Sequence, residues 1–231
     1  MTGTARIPVL ALDGPSGSGK GTVGQVLAQR LGWHFLDSGA LYRTLGVAAE
    51  RAQVDLDDKP ALVRLARDMG LRFVPRPGGD TVDVVLDGVN IGDRLRTEES
   101  GRRASILAAI PEVRQALLQK QHSFRQLPGL VADGRDMGST VFPDAILKIY
   151  LTASPEVRAE RRYKQLKEKG FDANLQQLLD EIRERDARDA GREASPLKPA
   201  DDAYILDTSQ LDISGVVERV QGLLQERQRP G

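Results

Sequence analysis

Nine residues, Gly14-Pro15-Ser16-Gly17-Ser18-Gly19-Lys20-Gly21-Thr22, separate an apolar run (Ile7, Val9, Leu10, Leu12) from an amphipathic one (Val23, Val26, Leu27, Leu31). Gly14, Gly19 and Lys20 fit the spacing G-x-x-x-x-G-K, in which backbone N–H groups and a helix N-terminus surround a phosphate and the lysine adds a mobile positive charge. Side chains in place of the glycines would block the backbone's approach to phosphate oxygens. A glycine-rich connection in any α/β protein has this composition, but the strand, loop and helix order is the context that phosphate binding requires, so a nucleoside triphosphate is the expected ligand. One position departs from the general pattern. Gly21 stands where a hydroxyl would ligate Mg²⁺, and Thr22 comes one residue later. A metal held mainly through ATP oxygens and water is therefore expected, with no protein side chain assigned to it.

Further candidate groups lie in separate segments. Asp37-Ser38-Gly39 ends a short apolar run and opens a helix, with Ser38 as the expected cap and Arg43 aimed at an anion. A capped helix with a solvated arginine explains that spacing equally well. Residues 130–133 read as a strand ending in Asp133, and the ends of neighbouring parallel strands converge on the phosphates of a P-loop. Arg135 and Asp136 then place a phosphate clamp and a hydrogen-bond acceptor on one loop. Arg158, Arg161 and Arg162 share a face of a helix opened by Ser154-Pro155. Leu175, Leu178, Ile182, Arg185, Asp189 and Arg192 fall on one helical stripe that begins apolar and ends charged. Unpaired charges do not stay in a core, so that end either projects from the fold or faces a charged ligand. Phosphoryl transfer asks for this distribution, because catalysis there consists of bringing anions together, excluding water and neutralising the transferring group.

The elements that must position these groups suit one α/β domain: a P-loop NTPase-type parallel sheet flanked by helices. The chain has 231 residues, 40% of them hydrophobic, enough for a sizeable core. Within residues 55–96 a short helix after Asp57 or Asp58 precedes strand-like runs at 71–74, 81–86 and 89–91. Pro77-Gly78-Gly79-Asp80 and Asp87-Gly88 join them too tightly for crossover helices, so a small antiparallel β insert is expected. Helices follow Thr97 and Pro111, bracketing Ser105 and Arg114. A last strand is expected at 204–206 and a last helix from about Ser214, while His34 reads as a strand residue with no partner. Lys plus Arg equal Asp plus Glu at 33 each, which argues against nucleic-acid binding. There is no cysteine. No run approaches the ~18 apolar residues of a spanning helix, so no membrane association and a cytoplasmic location are expected.

The P-loop, Asp37-Ser38-Gly39-Ala40-Leu41-Tyr42-Arg43, Asp133-Gly134-Arg135-Asp136-Met137-Gly138 and Arg185-Asp186 through Arg188-Asp189 to Arg192 together resemble the motifs of bacterial-type cytidylate kinases, P-loop nucleoside monophosphate kinases. The match runs in order from about Ile7 into the last helix, and its second and third motifs are more specific than the P-loop. Gly21 is ordinary within that family. The resemblance implies transfer from ATP to CMP or dCMP with Mg²⁺, and a monomer is expected. It also implies one domain over residues 7–226: a core of about 1–38, 107–154 and 195–231, an acceptor-binding insert of about 39–106, and a helical lid with an arginine helix at about 155–194. By motif match, Gly14, Pro15, Ser16, Gly17, Ser18, Gly19, Lys20, Gly21, Thr22 and Arg161 bind ATP, and Lys20, Arg135, Arg161 and Arg185 are catalytic. Ser38, Arg43 and Arg135 hold the CMP phosphate, Arg185, Asp189 and Arg192 lie at the sugar and phosphates, and Ser105, Arg114 and Asp136 read the base. A carboxylate accepts from the cytosine amino group and opposes the uracil carbonyl, so UMP is expected to be a poor substrate. The alternatives are a kinase of this fold for another nucleoside monophosphate or a small hydroxylated metabolite, and a nucleotide-dependent switch. The switch is disfavoured by the lack of an N-K-x-D guanine-reading motif.

Overall fold

The structure, a computed structural model, describes residues 6–75, 82–168 and 170–228. They form two compact units, one running up to Leu36 and resuming at Phe124, the other Asp37–Ser123.

The first unit is built on a five-stranded sheet. β1 (Val9–Asp13), β2 (His34–Asp37), β6 (Leu130–Asp133), β7 (Leu147–Thr152) and β8 (Tyr204–Asp207) lie in the order β2-β6-β1-β7-β8. The pairs β1–β6, β1–β7 and β7–β8 are parallel. A central parallel strand is covered on both faces, which is why Val9, Leu10, Ala11 and Leu12 form an unbroken, fully buried apolar run. The register sets Leu12 opposite Asp133 and Asp13 opposite Tyr150, so the carboxyl ends of three strands meet where the chain leaves β1. α1 (Lys20–Leu31) and α8 (Ile213–Gln228) cover one side, with Leu27, Val216, Val217 and Val220 packed on Leu10, Leu12 and Ile149. α6 (Pro155–Glu168) and α7 (Leu175–Ala190) pack on one another. His34, expected to have no partner, places Nε2 2.9 Å from the Leu127 carbonyl oxygen.

In the second unit α2 (Ser38–Arg51) packs against α3 (Lys59–Asp68) and α4 (Glu98–Leu107), and α3 against α5 (Pro111–His122). The cap of α2 is Asp37, whose carboxylate accepts the Ala40 N–H at 2.9 Å; Ser38, expected to cap, is instead the first helical residue. Asp58 rather than Asp57 caps α3. β3 (Leu71–Pro75), β4 (Val82–Leu86) and β5 (Val89–Asn90) form the expected antiparallel sheet. At the turn between β4 and β5, Asp87 and Gly88 both have positive φ, at 49° and 82°, as a two-residue hairpin loop requires. The Pro77-Gly78-Gly79-Asp80 turn and Thr81 lie outside the described residues. The second compact unit runs through α5, where Lys120 donates to the Met69 carbonyl at 2.7 Å.

Candidate active site

Gly14 opens the loop after β1 with φ 139°, and a Cβ there would stand 1.9 Å from the Leu151 carbonyl oxygen, so only glycine lets the chain turn away beside β7. Lys20 is the first residue of α1 and is buried. Its Nζ donates to the Pro15 carbonyl at 2.7 Å and approaches Ser18 Oγ at 3.4 Å, folding the ammonium back into the loop. Burial and then the neighbouring Arg135 lower its pKa to about 7, against the opposing pull of Asp133 and Asp13. A triphosphate in the loop would restore the ammonium. ATP binding at pH 8 is therefore expected to take up a proton, by up to about one per site, and apparent affinity to fall as pH rises above 7. Calorimetric titration in two buffers of different ionisation enthalpy measures this, and identical heats in both would contradict it.

The charged end of α7 turns inward. Asp189, 2% exposed, accepts from Arg135 Nε at 3.0 Å and from Arg192. Burial alone would raise its pKa, but Arg135, Arg192 and Arg185 outweigh burial and hold it at about 2. Three guanidinium groups thus act on one carboxylate. That excess of cation in a largely buried place suits an anionic ligand better than it suits a core.

Arg158 is 2% exposed and reaches three segments. Its Nε donates to the Ala153 carbonyl at 2.9 Å, Nη1 to the Ser16 carbonyl at 3.0 Å, and the fork closes on the Asp186 carboxylate. A peptide unit is planar, so a Ser16 carbonyl turned toward Arg158 sends the Gly17 N–H to the opposite side. Arg158 therefore sets the direction of one P-loop donor and ties α7 to that loop. Arg161, one turn later, donates to the Thr208 carbonyl and hydroxyl. That hydroxyl lies 3.2 Å from the Ser18 carbonyl, so Arg161 is one residue removed from the P-loop. Ile213 at the start of α8 brings its δ-methyl within 3.6 Å of where a Gly19 Cβ would be.

The cytidylate kinase family profile matches residues 10–226 of this chain. The chain belongs to the cytidylate kinase family. Cytidylate kinase of Pseudomonas aeruginosa strain UCBPP-PA14 is 56% identical over 214 residues, covering 93% of each chain. That of Klebsiella pneumoniae strain 342 is 51% identical over 224 residues, covering 97% of this chain and 98% of its own. A solved structure, shikimate kinase from Bacteroides thetaiotaomicron, aligns over 95% of this chain and 99% of its own at 17% identity and a TM-score of 0.46.

Among the residues singled out by the family motifs, the first unit brings together Lys20, Arg135, Arg185, Asp189 and Arg192. Asp136, 4% exposed, follows Arg135. In the second unit, Asp37 accepts from Arg43 Nη2 at 3.0 Å, and the buried Arg43 Nε has no hydrogen-bond partner among the described residues. Ser38 and Ser105 are both buried there, and Arg114 Nη1 donates to the Ala108 carbonyl at 3.2 Å, lying back over the α4–α5 turn. The motifs alone do not single out Asp13, Arg158, Thr208 or Ile213, and they include Asp186 without giving it a role. Arg158 had one sequence signal, its shared face with Arg161 and Arg162, but nothing there distinguishes the buried arginine from the others.

Proposed function

We infer that this cytidylate kinase family member transfers the γ-phosphoryl group of ATP to CMP or dCMP by in-line displacement. The observation that carries the reading is the buried Lys20 in a P-loop next to a cluster in which three arginines act on Asp189. That arrangement supplies charge to a group in flight between two anions. Lys20, Arg135 and Arg185 are the proposed charge-neutralising groups, with Arg161 on the donor side. Leu211 and Ile213, each 39% exposed beside Thr208 and the P-loop, offer an apolar surface to the donor base. Ser38 and Arg43 are assigned to the acceptor phosphate, Asp189 and Arg192 to its sugar and phosphate, and Ser105, Arg114 and Asp136 to the base.

The residues present fit a Mg²⁺ ion held chiefly by nucleotide oxygens and water. A Cβ on Gly21 would stand 3.5 Å from Asp133 Oδ2, so a buried carboxylate faces the position where other P-loops carry a hydroxyl. Asp133 would hold the ion through water, and the bound ion would neutralise phosphate charge.

A panel of acceptors offered with ATP and scored by ADP release tests the reading. CMP and dCMP are expected to lead, and release with another acceptor but none above background with CMP would overturn it. Asp136→Asn is expected to narrow the preference for CMP over UMP by about tenfold, because an amide can donate to the uracil carbonyl where a carboxylate cannot. An unchanged ratio of kcat/KM values would remove Asp136 from base reading.

A further inference from the structure

Asp13 closes β1 directly before the P-loop, is 5% exposed, and has no role in the phosphate grip described above. Both of its oxygens are engaged. Oδ1 accepts the Met137 N–H at 2.7 Å and Oδ2 the Gly138 N–H at 2.8 Å. These are the first two residues of a π-helical turn, Met137–Val141, that follows Arg135 and Asp136. On the other side of the same peptide unit, the Asp136 carbonyl accepts the Thr140 N–H at 2.9 Å and the Val141 N–H at 3.1 Å. The N–H and C=O of a planar peptide point in opposite directions. The Asp136–Met137 unit is therefore gripped at both ends, its N–H by Asp13 and its C=O by the π turn. Gripping that unit fixes ψ of Asp136, at 28°, and constrains the direction in which its Cβ leaves the chain.

We propose that Asp13 is a positioning residue for acceptor selection: its carboxylate sets the loop that carries Arg135 and Asp136, and through that loop the discrimination between cytosine and uracil. The proposal rests on the CMP-phosphorylating reading above. A carboxylate is the side chain the geometry demands, since it accepts through two oxygens at once. Asparagine offers one oxygen, and its amide N–H₂ would confront the second backbone N–H. Burial is the opposing cost: it pushes the Asp13 pKa up to about 7, with Asp136 adding to the rise and the two backbone N–H groups and Lys20 countering it.

The test is Asp13→Asn, assayed by steady-state kinetics with CMP and UMP. KM for CMP is expected to rise about tenfold and the preference for CMP over UMP to fall about tenfold, with KM for ATP moving by no more than about threefold. A residue that merely stabilised the fold would leave the preference alone. The proposal is overturned if folded Asp13→Asn keeps both quantities within about twofold of the unsubstituted protein, or if the change is confined to ATP. Should the variant not fold, amide hydrogen exchange on the unsubstituted protein decides: Met137 and Gly138 are expected to exchange about 100-fold more slowly than an open loop, and open-loop rates at both would sink the clamp. If the unsubstituted protein released no ADP with CMP, the CMP reading would fail while the exchange experiment still judged the contact.

Discussion

Lys20→Ala is expected to lower kcat by about 10³-fold while KM for CMP changes by no more than about threefold. The lysine is the one group of the P-loop whose charge can follow the phosphoryl group as negative charge moves between donor and acceptor oxygens. Its Nζ donates to the Pro15 carbonyl, and burial lowers its pKa to about 7. The ammonium is thus poorly stabilised until phosphate arrives, and its best interactions are reserved for the reacting complex. Removing it relieves a buried amine, so thermal stability should hold or rise. Steady-state kinetics and a thermal melt check both halves, and a kcat within about tenfold of the unsubstituted protein would refute the role.

Arg158→Met is the second large effect, and it should appear in stability and in turnover together. Methionine keeps much of the side-chain volume but leaves the Ser16 and Ala153 carbonyls and the Asp186 carboxylate without their donor. Loss of one partner of a buried, hydrogen-bonded ion pair costs about 3–5 kcal/mol. The lower end applies here, because the Asp186 side chain is 27% exposed and water screens it in part. About 3 kcal/mol corresponds to roughly 6–12 °C in the melting midpoint of a chain this long. KM for ATP should also rise, because the Gly17 N–H loses the constraint that sets its direction. Adding Asp186→Asn to Arg158→Met should recover part of the stability but not the ATP affinity, since the amide removes the stranded charge and does nothing for Ser16. A double-mutant cycle with additive losses would show that the pair is uncoupled.

What the sequence exposed and what it hid follow from the distance between partners. The P-loop was legible because its glycines and lysine are adjacent and each has a local reason to be there. The Arg185, Asp189 and Arg192 cluster was legible because helical spacing puts its members on one stripe, and a stripe that turns from apolar to charged needs an explanation. Asp13 and Gly138 are 125 residues apart in sequence, and nothing near Asp13 hints that its carboxylate has backbone partners. Arg158, Arg161 and Arg162 look alike on a helix, and only the way α6 packs decides that Arg158 is buried and Arg161 meets Thr208. Asp37 and Ser38 are both good caps, so one residue of register at the end of β2 settled which of them serves. The packing of α5 on α3 within the second unit joins segments about fifty residues apart and leaves no local trace in the sequence.

The α6 and α7 pair has its anchors at one end. Arg158 with Asp186 joins the two helices, and Arg158 with Ser16 and Asp189 with Arg135 tie them to the loops after β1 and β6, whereas Phe171 and Leu175 at the far end are 59% and 42% exposed. Mechanically this is a cantilever, riveted at its root beside the P-loop and without such rivets among the described contacts of Phe171 and Leu175. The root is thereby held in register with the loops that carry Ser16 and Arg135, whatever load the tip bears.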